Sequence, residues 1–281
     1  MYAGTKSWSD LRSAAGLPSL PSGPAEEAFR RACGRLLHVD DRERLEAYGR
    51  LLSRPSPPDP DTLSQRERRL VRMLVASVAD SAIERATTLT EATALLWAHP
   101  QVCAELAELM GVLADRVDHV QRRLDGRPDV PLQVHARYSR IEILAAFGIG
   151  DAARVEKWQT GVFWARDARA DLLAFTLDKT SGKFSPSTRY RDYAISRDLI
   201  HWESQSVTRA DSDTGRRYQD HARRGTEIML FARLRTDDRA FWFLGPATYV
   251  SHESETPMAI TWRLQHPLSG DLFTGFAAAV A

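Results

Sequence analysis

The residues best suited to chemistry crowd between Phe184 and Arg224, in the run FSPSTRYRDYAISRDLIHWESQSVTRADSDTGRRYQDHARR. From Lys183 to Arg224, nine basic residues stand against six acidic ones, a local balance of +3, with Tyr190, Tyr193, Trp202 and Tyr218 interleaved. Guanidinium groups hold phosphates, flat rings stack on an exposed base, and amides or hydroxyls read its edge, so the mixture suits a nucleic-acid surface. Arg191, Arg217 and Arg224 are the candidates for phosphate contact and Tyr190, Tyr193 and Trp202 for a stacking wall. His201, Gln205, Ser206 and Thr208 are the candidates for recognition. The segment Asp213 to Arg224 reads as a short helix that aligns Arg217, His221 and Arg224 on one basic face, with Tyr218 beside them. An ordinary surface helix with salt bridges such as Arg216 to Asp220 fits the same spacing.

A metal-dependent nuclease of the restriction type competes for these residues. Such enzymes set an Asp on one strand and a Glu-x-Lys or similar pair on the next, so that carboxylates bind Mg²⁺ while the third residue orients water. Glu203-Ser204-Gln205 is a diverged version of that pair, with Asp171, Asp178 or Asp192 as the partner carboxylate and Gln205 where lysine is usual. Other chemistries lack their motifs. Gly4-Thr5-Lys6-Ser7 has neither the preceding strand nor the first glycine of a nucleotide-binding loop, and no dinucleotide fingerprint, nucleophile elbow or Cys-x-x-Cys pair is present. His252-Glu253 lacks the second histidine of a zinc helix, and Thr180-Ser181-Gly182-Lys183 reads as a hairpin turn. No cofactor is expected.

These residues need strands to aim them. In Ile200–Ser206 alternation places His201, Glu203 and Gln205 on one face, opposite Ile200, Trp202 and Ser204. Trp202 therefore joins the stacking wall only if it escapes the core, and the polar face also fits a solvated edge strand. Met258, Ile260, Trp262 and Leu264 likewise oppose Thr261, Arg263 and Gln265. Further strands are expected at Gly161–Arg166, Asp171–Lys179, Glu227–Arg235, Ala240–Leu244 and Ala247–His252. Before Gly126 the periodicity is helical. Leu70, Met73, Leu74 and Val78 mark a helix over 65–86. Thr88 with Glu91 forms a capping box for a helix through Trp97, and Leu106, Leu109, Met110, Leu113, Val117 and Val120 form a stripe over 102–124. Ser139 with Glu142 caps another short helix ending near Gly148.

The whole chain, 281 residues with 43% apolar and 27% charged, has enough apolar residues for a buried core. With 38 basic against 37 acidic residues the net charge is +1, so nucleic-acid contact requires a local patch. Lysines number four, leaving 34 arginines, and asparagine is absent, a pattern that a GC-rich genome also produces. Cys33 and Cys103 read as two buried thiols. No apolar run reaches the roughly 18 residues of a membrane span and no signal peptide is apparent, which leads to a cytoplasmic expectation.

The runs VHARYSRIEILAAFG, FSPSTRYRDYAIS, HWESQS, DTGRRYQDH, FLGPATYVSHE and WRLQHP, together with Trp97-Ala98-His99-Pro100, occur in this order over roughly residues 40–270. They resemble an uncharacterised domain at the C-terminal end of large bacterial DEAD/DEAH-type helicases that often carry a phospholipase-D-type nuclease domain. The resemblance implies a DNA-handling setting such as restriction or phage defence. The helicase motor and the His-x-Lys of the nuclease are absent from this chain, so neither activity carries over.

The expectation is an α+β protein with a loose tail (1–24), a helical domain (25–128) and a mainly antiparallel, barrel-like β domain (129–281) flanked by one or two helices. Its expected function is to bind DNA, reading a modified base or backbone beside a helicase or nuclease partner, without catalysis of its own. The alternatives are the Glu203-centred nuclease with Gln205 and Asp192, and a protein-interaction or autoinhibitory module docking through its helices.

Overall fold

The computed structural model describes residues 8–18, 20–21, 23, 25–78, 86–151, 154, 156–178 and 192–280. Its elements in chain order are α1 (Trp8–Ala14), α2 (Glu26–Cys33), α3 (Arg42–Leu52), α4 (Gln65–Val78), α5 (Leu89–Trp97), α6 (Pro100–Ala114), β1 (Arg122–Arg123), β2 (Gln133–Val134), β3 (Arg137–Ser139), α7 (Arg140–Ala146), β4 (Val162–Ala165), β5 (Ala170–Thr176), β6 (Tyr193–Ala194), β7 (Leu199–Glu203), α8 (Asp213–Gln219), β8 (Glu227–Arg233), β9 (Ala240–Glu253), β10 (Ala259–Leu264) and α9 (Gly270–Val280). They form two compact units. Residues up to 119, with 124–132 and 136–157, make the helical unit, and 120–123, 133–135 and 158–281 make the sheet unit.

In the helical unit the capping signals act where the sequence places them. The Thr88 side chain accepts from Glu91 N–H while Glu91 reaches back to the cap, and Ser139 and Glu142 do the same for α7. Each such cap stabilises its helix by about 1 kcal/mol. Pro100 occupies the first turn of α6, where no intrahelical donor is lost. That helix ends at Ala114, short of the expected 124, because tightened bonds from Arg116 N to Leu113 O and Val117 N to Ala114 O close it. Val102, Leu106, Met110 and Leu113 are buried, while Val117 and Val120 lie beyond the helix. The expected helix over 65–86 is α4, with 79–85 outside the described residues. Within the segment expected as a loose tail, α1 forms, its Trp8 and Ser9 N–H groups donating to Glu105 at 3.0 and 3.2 Å. Cys33 and Cys103 are buried free thiols. No helix among the described residues is long and apolar enough to cross a membrane.

In the sheet unit, β1 and β2 pair with each other, and seven strands run in the order β4-β5-β8-β9-β10-β7-β6. All neighbours in the larger sheet are antiparallel except β5 with β8. The architecture is α+β, and the sheet is open. Its described strands end at β4 and β6, so the expected barrel-like closure is not met. A parallel pair needs a crossover, and the crossover from β5 to β8 carries β6, β7 and α8. Every residue of β5 is buried, as a strand covered on both faces requires. On one face Ile200, Trp202, Tyr218, Ile260, Trp262, Leu268 and Phe276 form the core with α8 and α9. On the other, Phe231 stacks on Phe243 at 4.7 Å and Trp158 meets Phe231 edge-on.

The two strands expected at Ala240–Leu244 and Ala247–His252 are one, β9, bent at Gly245. There φ is +92°, and a Cβ would come within 3.1 Å of the Val134 methyl groups, which accounts for glycine at this position. The β8–β9 register shifts beside it.

Candidate functional site

On β7 alternation sorts the side chains as expected. Ile200 and Trp202 are buried, while His201 and Glu203 are half-buried on the opposite face. Cross-strand register extends that face, since His201 pairs with Tyr193 on β6 and Thr261 on β10, and Thr261 pairs with Ser251 on β9. The Tyr193 ring, 37% exposed, stacks on the His201 imidazole with centroids 4.7 Å apart and planes 11° apart. One row further, Glu203 and Glu253 flank Ala259, so this end of the face is acidic. Gln205 is half-buried and Ser206 exposed just past β7, while Thr208 is buried. The turn is held by Thr208 N–H to Gln205 O (2.8 Å) and Met258 N–H to Ser204 Oγ (2.9 Å).

The α8 segment lies on the core side of the sheet, opposite His201. Ser212 caps it, and Gly215 is required because a Cβ there would meet Arg209 O at 2.1 Å. The helix ends at Gln219, so the expected basic face of Arg217, His221 and Arg224 does not form. Tyr218 is 1% exposed and packs edge-on against Trp202 and Trp262 at 5.8 and 6.2 Å. Trp202 is thus a core residue and stands outside the stacking wall. Arg224 is exposed, 3.9 Å from Asp220, and its carbonyl accepts from the Arg169 guanidinium. Tyr190 and Arg191 lie outside the described residues, as does the turn expected at 180–183.

Arg217 grips Asp171 with both prongs of its fork, Nε to Oδ2 at 2.7 Å and Nη2 to Oδ1 at 2.9 Å, and lies over the Trp164 ring at 4.3 Å. Burial lifts the Asp171 carboxyl above its ordinary value, partly offset by the bonds from Arg217, and those bonds hold the guanidinium more firmly protonated. Asp171 is therefore committed to an ion pair. Asp192, the partner weighed with Glu203, is buried and accepts from Glu203 N–H at 3.0 Å. Among the described residues no group of three His, Cys, Asp or Glu side chains is placed to hold a metal ion.

His221 is buried between two backbone groups. Its Nε2 accepts from Tyr249 N–H at 3.1 Å, which fixes the proton on Nδ1, 3.3 Å from Thr226 O. Burial holds its pKa below the ordinary value, because an imidazolium would lose solvation and could not accept from Tyr249. The unfolded chain takes up this proton near about pH 6.5. The contribution of His221 to stability is thus complete above that pH and lost as pH falls through the depressed folded value. Melting temperature should decline on acidification below about pH 6.5, and His221→Gln should flatten that decline. An unchanged slope in the variant would assign the decline to other groups.

Two groupings escaped the reading of the sequence. Tyr249 Oη lies 2.5 Å from His252 Nδ1. Strand residues three apart normally face opposite ways, but the β9–β10 register shift at Thr261/Trp262 brings both to one side. The second lies in the helical unit, where Glu142 is fully buried. Its Oε2 lies 2.7 Å from His38 Nε2 and 2.7 Å from Ser139 N, and its Oε1 lies 3.1 Å from Arg44 Nη1 and 3.2 Å from Ser77 Oγ. Arg44 is also fully buried; its Nη2 donates to Arg137 O at 2.9 Å and its guanidinium covers the Tyr138 ring at 4.5 Å. The Tyr138 hydroxyl donates to Asp41, which caps α3. Burial raises the Glu142 pKa, but the charges of His38 and Arg44 and the bonds from His38 and Ser139 more than offset it, leaving the carboxyl well below its ordinary range. Burial dominates at Asp41 and raises it. The cluster holds α3, α4, β3 and α7 together, and its sequence signal was limited to the Ser139/Glu142 capping box.

No curated protein matches the chain. A family model matches residues 132–276, just over half of the chain, from β2 through most of α9 and including α7. The protein therefore belongs to the family described as Domain of unknown function (DUF3427).

Proposed function

We propose that the sheet unit is a DNA-binding module that reads a modified base or backbone feature, works beside a helicase or nuclease in a restriction or phage-defence setting, and performs no catalysis itself. The observation that carries this reading is the Tyr193–His201 ring pair, stacked on a half-open face at the sheet edge. A base displaced from a duplex finds there a flat surface to stack on. Gln205 and Ser206, at the end of β7, supply amide and hydroxyl groups to read its edge. The chain entering β6 adds charge, since residues 179–191 include Lys179, Lys183, Arg189 and Arg191 and no acid. Phosphate contact is assigned to Arg191 and to the exposed Arg224. The helicase and nuclease setting rests on the resemblance of the chain's motif runs to a C-terminal domain of bacterial DEAD/DEAH-type helicases.

Fluorescence anisotropy of the full chain with short duplexes, unmodified, base-methylated or phosphorothioated, tests the reading at low and physiological salt with EDTA present. Tighter binding of one modified duplex is expected, weakening about tenfold in Tyr193→Ala, since a stacked base contributes about 1–3 kcal/mol. Gln205→Ala should narrow the preference between duplexes. Equal weak binding to all three would leave only nonspecific contact, and no binding at either salt would end the proposal.

A further inference from the structure

In the helical unit two cavities are lined in part by the C-terminal end of α3 and the residues just past it. One, of about 370 Å³, has Leu51, Leu63 and Leu70 in its walls; the other, of about 380 Å³, has Leu52, Pro55, Trp97 and Ala107. Arg54 lines both. The remaining charges around the first cavity are largely engaged. Arg66 Nε donates to Glu43 at 2.9 Å, Glu67 accepts from the Ser64 hydroxyl at 2.6 Å, and Arg50 lies 4.0 Å from Glu46. Two of the last carbonyls of α3 are also occupied, Gly49 O by Ser53 Oγ at 2.8 Å and Leu51 O by Arg54 N–H at 3.1 Å. The exposed Arg54 guanidinium has no partner among the described residues. It is a cation between a recess in which Ala47, Leu51, Leu63 and Leu70 lie among charged side chains and a second, largely apolar one.

We propose that this bipartite groove docks an acidic peptide segment of a partner protein, in which a carboxylate is flanked by bulky apolar side chains. The carboxylate would take the fork of Arg54 and a flanking side chain would enter each recess. At the second cavity the Leu20 N–H donates to Gln101 Oε1 at 2.7 Å. The chain's own first nine residues contain Lys6 and no acid, so they lack the group that Arg54 selects. The groove belongs to the helical unit, and the proposal is independent of DNA binding by the sheet unit.

The probe is a fluorescein-labelled pool of ten-residue peptides alternating Asp or Glu with Leu, Phe or Trp, titrated with the full chain. A pool with Lys or Arg in place of the acids is the control. Saturable binding at least tenfold tighter for the acidic pool is expected. Arg54→Glu should weaken it at least tenfold, and so should Ala107→Trp, which fills the second recess, both with unaltered thermal melts. Equal binding of the two pools, absence of saturable binding, or affinity unmoved by both substitutions would overturn the proposal. So would displacement of the acidic pool by duplex DNA, which would assign the groove to nucleic acid, or a dimer that excludes the probe and dissociates in Arg54→Glu, which would assign it to a second copy.

Discussion

Arg44→Met is expected to destabilise the helical unit by about 3–5 kcal/mol, the usual cost of removing one partner from a buried ion pair. Since whole domains are stable by only about 5–15 kcal/mol, this change should be plain in urea denaturation. The methionine would leave the fully buried Glu142 with His38, Ser139 and the Ser77 hydroxyl, would remove the positive charge that most favours ionised Asp41, and would strip Arg137 O of its donor. Replacing both partners, as in Arg44→Met with Glu142→Leu, removes the stranded charge along with the pair. The double variant should therefore be more stable than Arg44→Met alone, even though leucine at 142 loses the reciprocal half of the α7 cap. The pH dependence has a definite sign. Because the Glu142 pKa is depressed in the fold, its stabilisation is present above its unfolded value of about 4.3 and is lost as pH falls toward the folded one. Acid unfolding of Glu142→Gln should show a shallower slope below about pH 4.3. A cost under 1 kcal/mol for Arg44→Met would mean that water reaches the cluster and that its charges were never committed to each other.

What the sequence disclosed and what it hid divide along the range of the interactions concerned. Capping boxes at Thr88 and Ser139 are local, made by side chains three residues apart, and both form. The alternation in Met258–Leu264 and Ile200–Ser206 is also local, and it assigns inward and outward faces correctly. The Arg44–Glu142 contact joins residues almost a hundred positions apart, and nothing at either position marks it. Glu142 reads fully as a cap residue, and the cap explains it without a second role. Tyr249 and His252 meet because of a register shift that no spacing rule contains. The described sheet ends unpaired at β4 and β6 and contains a parallel β5–β8 pair, whereas short strands with turns between them read equally well as an antiparallel meander that closes. At the candidate site the outward row of β7 was readable. The split between His201 on one face and the α8 residues on the other was not, because it depends on which side of the sheet the crossover packs.

Arg217 is where that split matters most. Its sequence setting, GRRYQDH, suits a phosphate contact, yet in the fold both prongs of its fork are spent on Asp171, whose side chain is only 2% exposed. Arg217→Ala should therefore cost the sheet unit about 3 kcal/mol or more by stranding that carboxylate, and should release the Trp164 ring that the guanidinium covers. Arg217→Lys keeps the charge but cannot reproduce a bidentate planar fork, so its cost should fall between wild type and alanine. Pairing Arg217→Ala with Asp171→Ala should recover part of the loss, since the uncompensated charge goes with it. Urea denaturation read by tryptophan fluorescence follows all four proteins, with Trp164 beside the pair and Trp202 and Trp262 in the core it borders. The same measurement governs what a DNA titration means. Weakened DNA binding by Arg217→Ala reports a lost fold if stability falls with it, so phosphate contact is tested at the exposed Arg224. There, removing the guanidinium should reduce the salt dependence of binding by about one counterion while leaving stability within about 0.5 kcal/mol. Unchanged stability in Arg217→Ala together with weaker DNA binding would reverse these roles and make Arg217 the phosphate ligand that its sequence setting suggests.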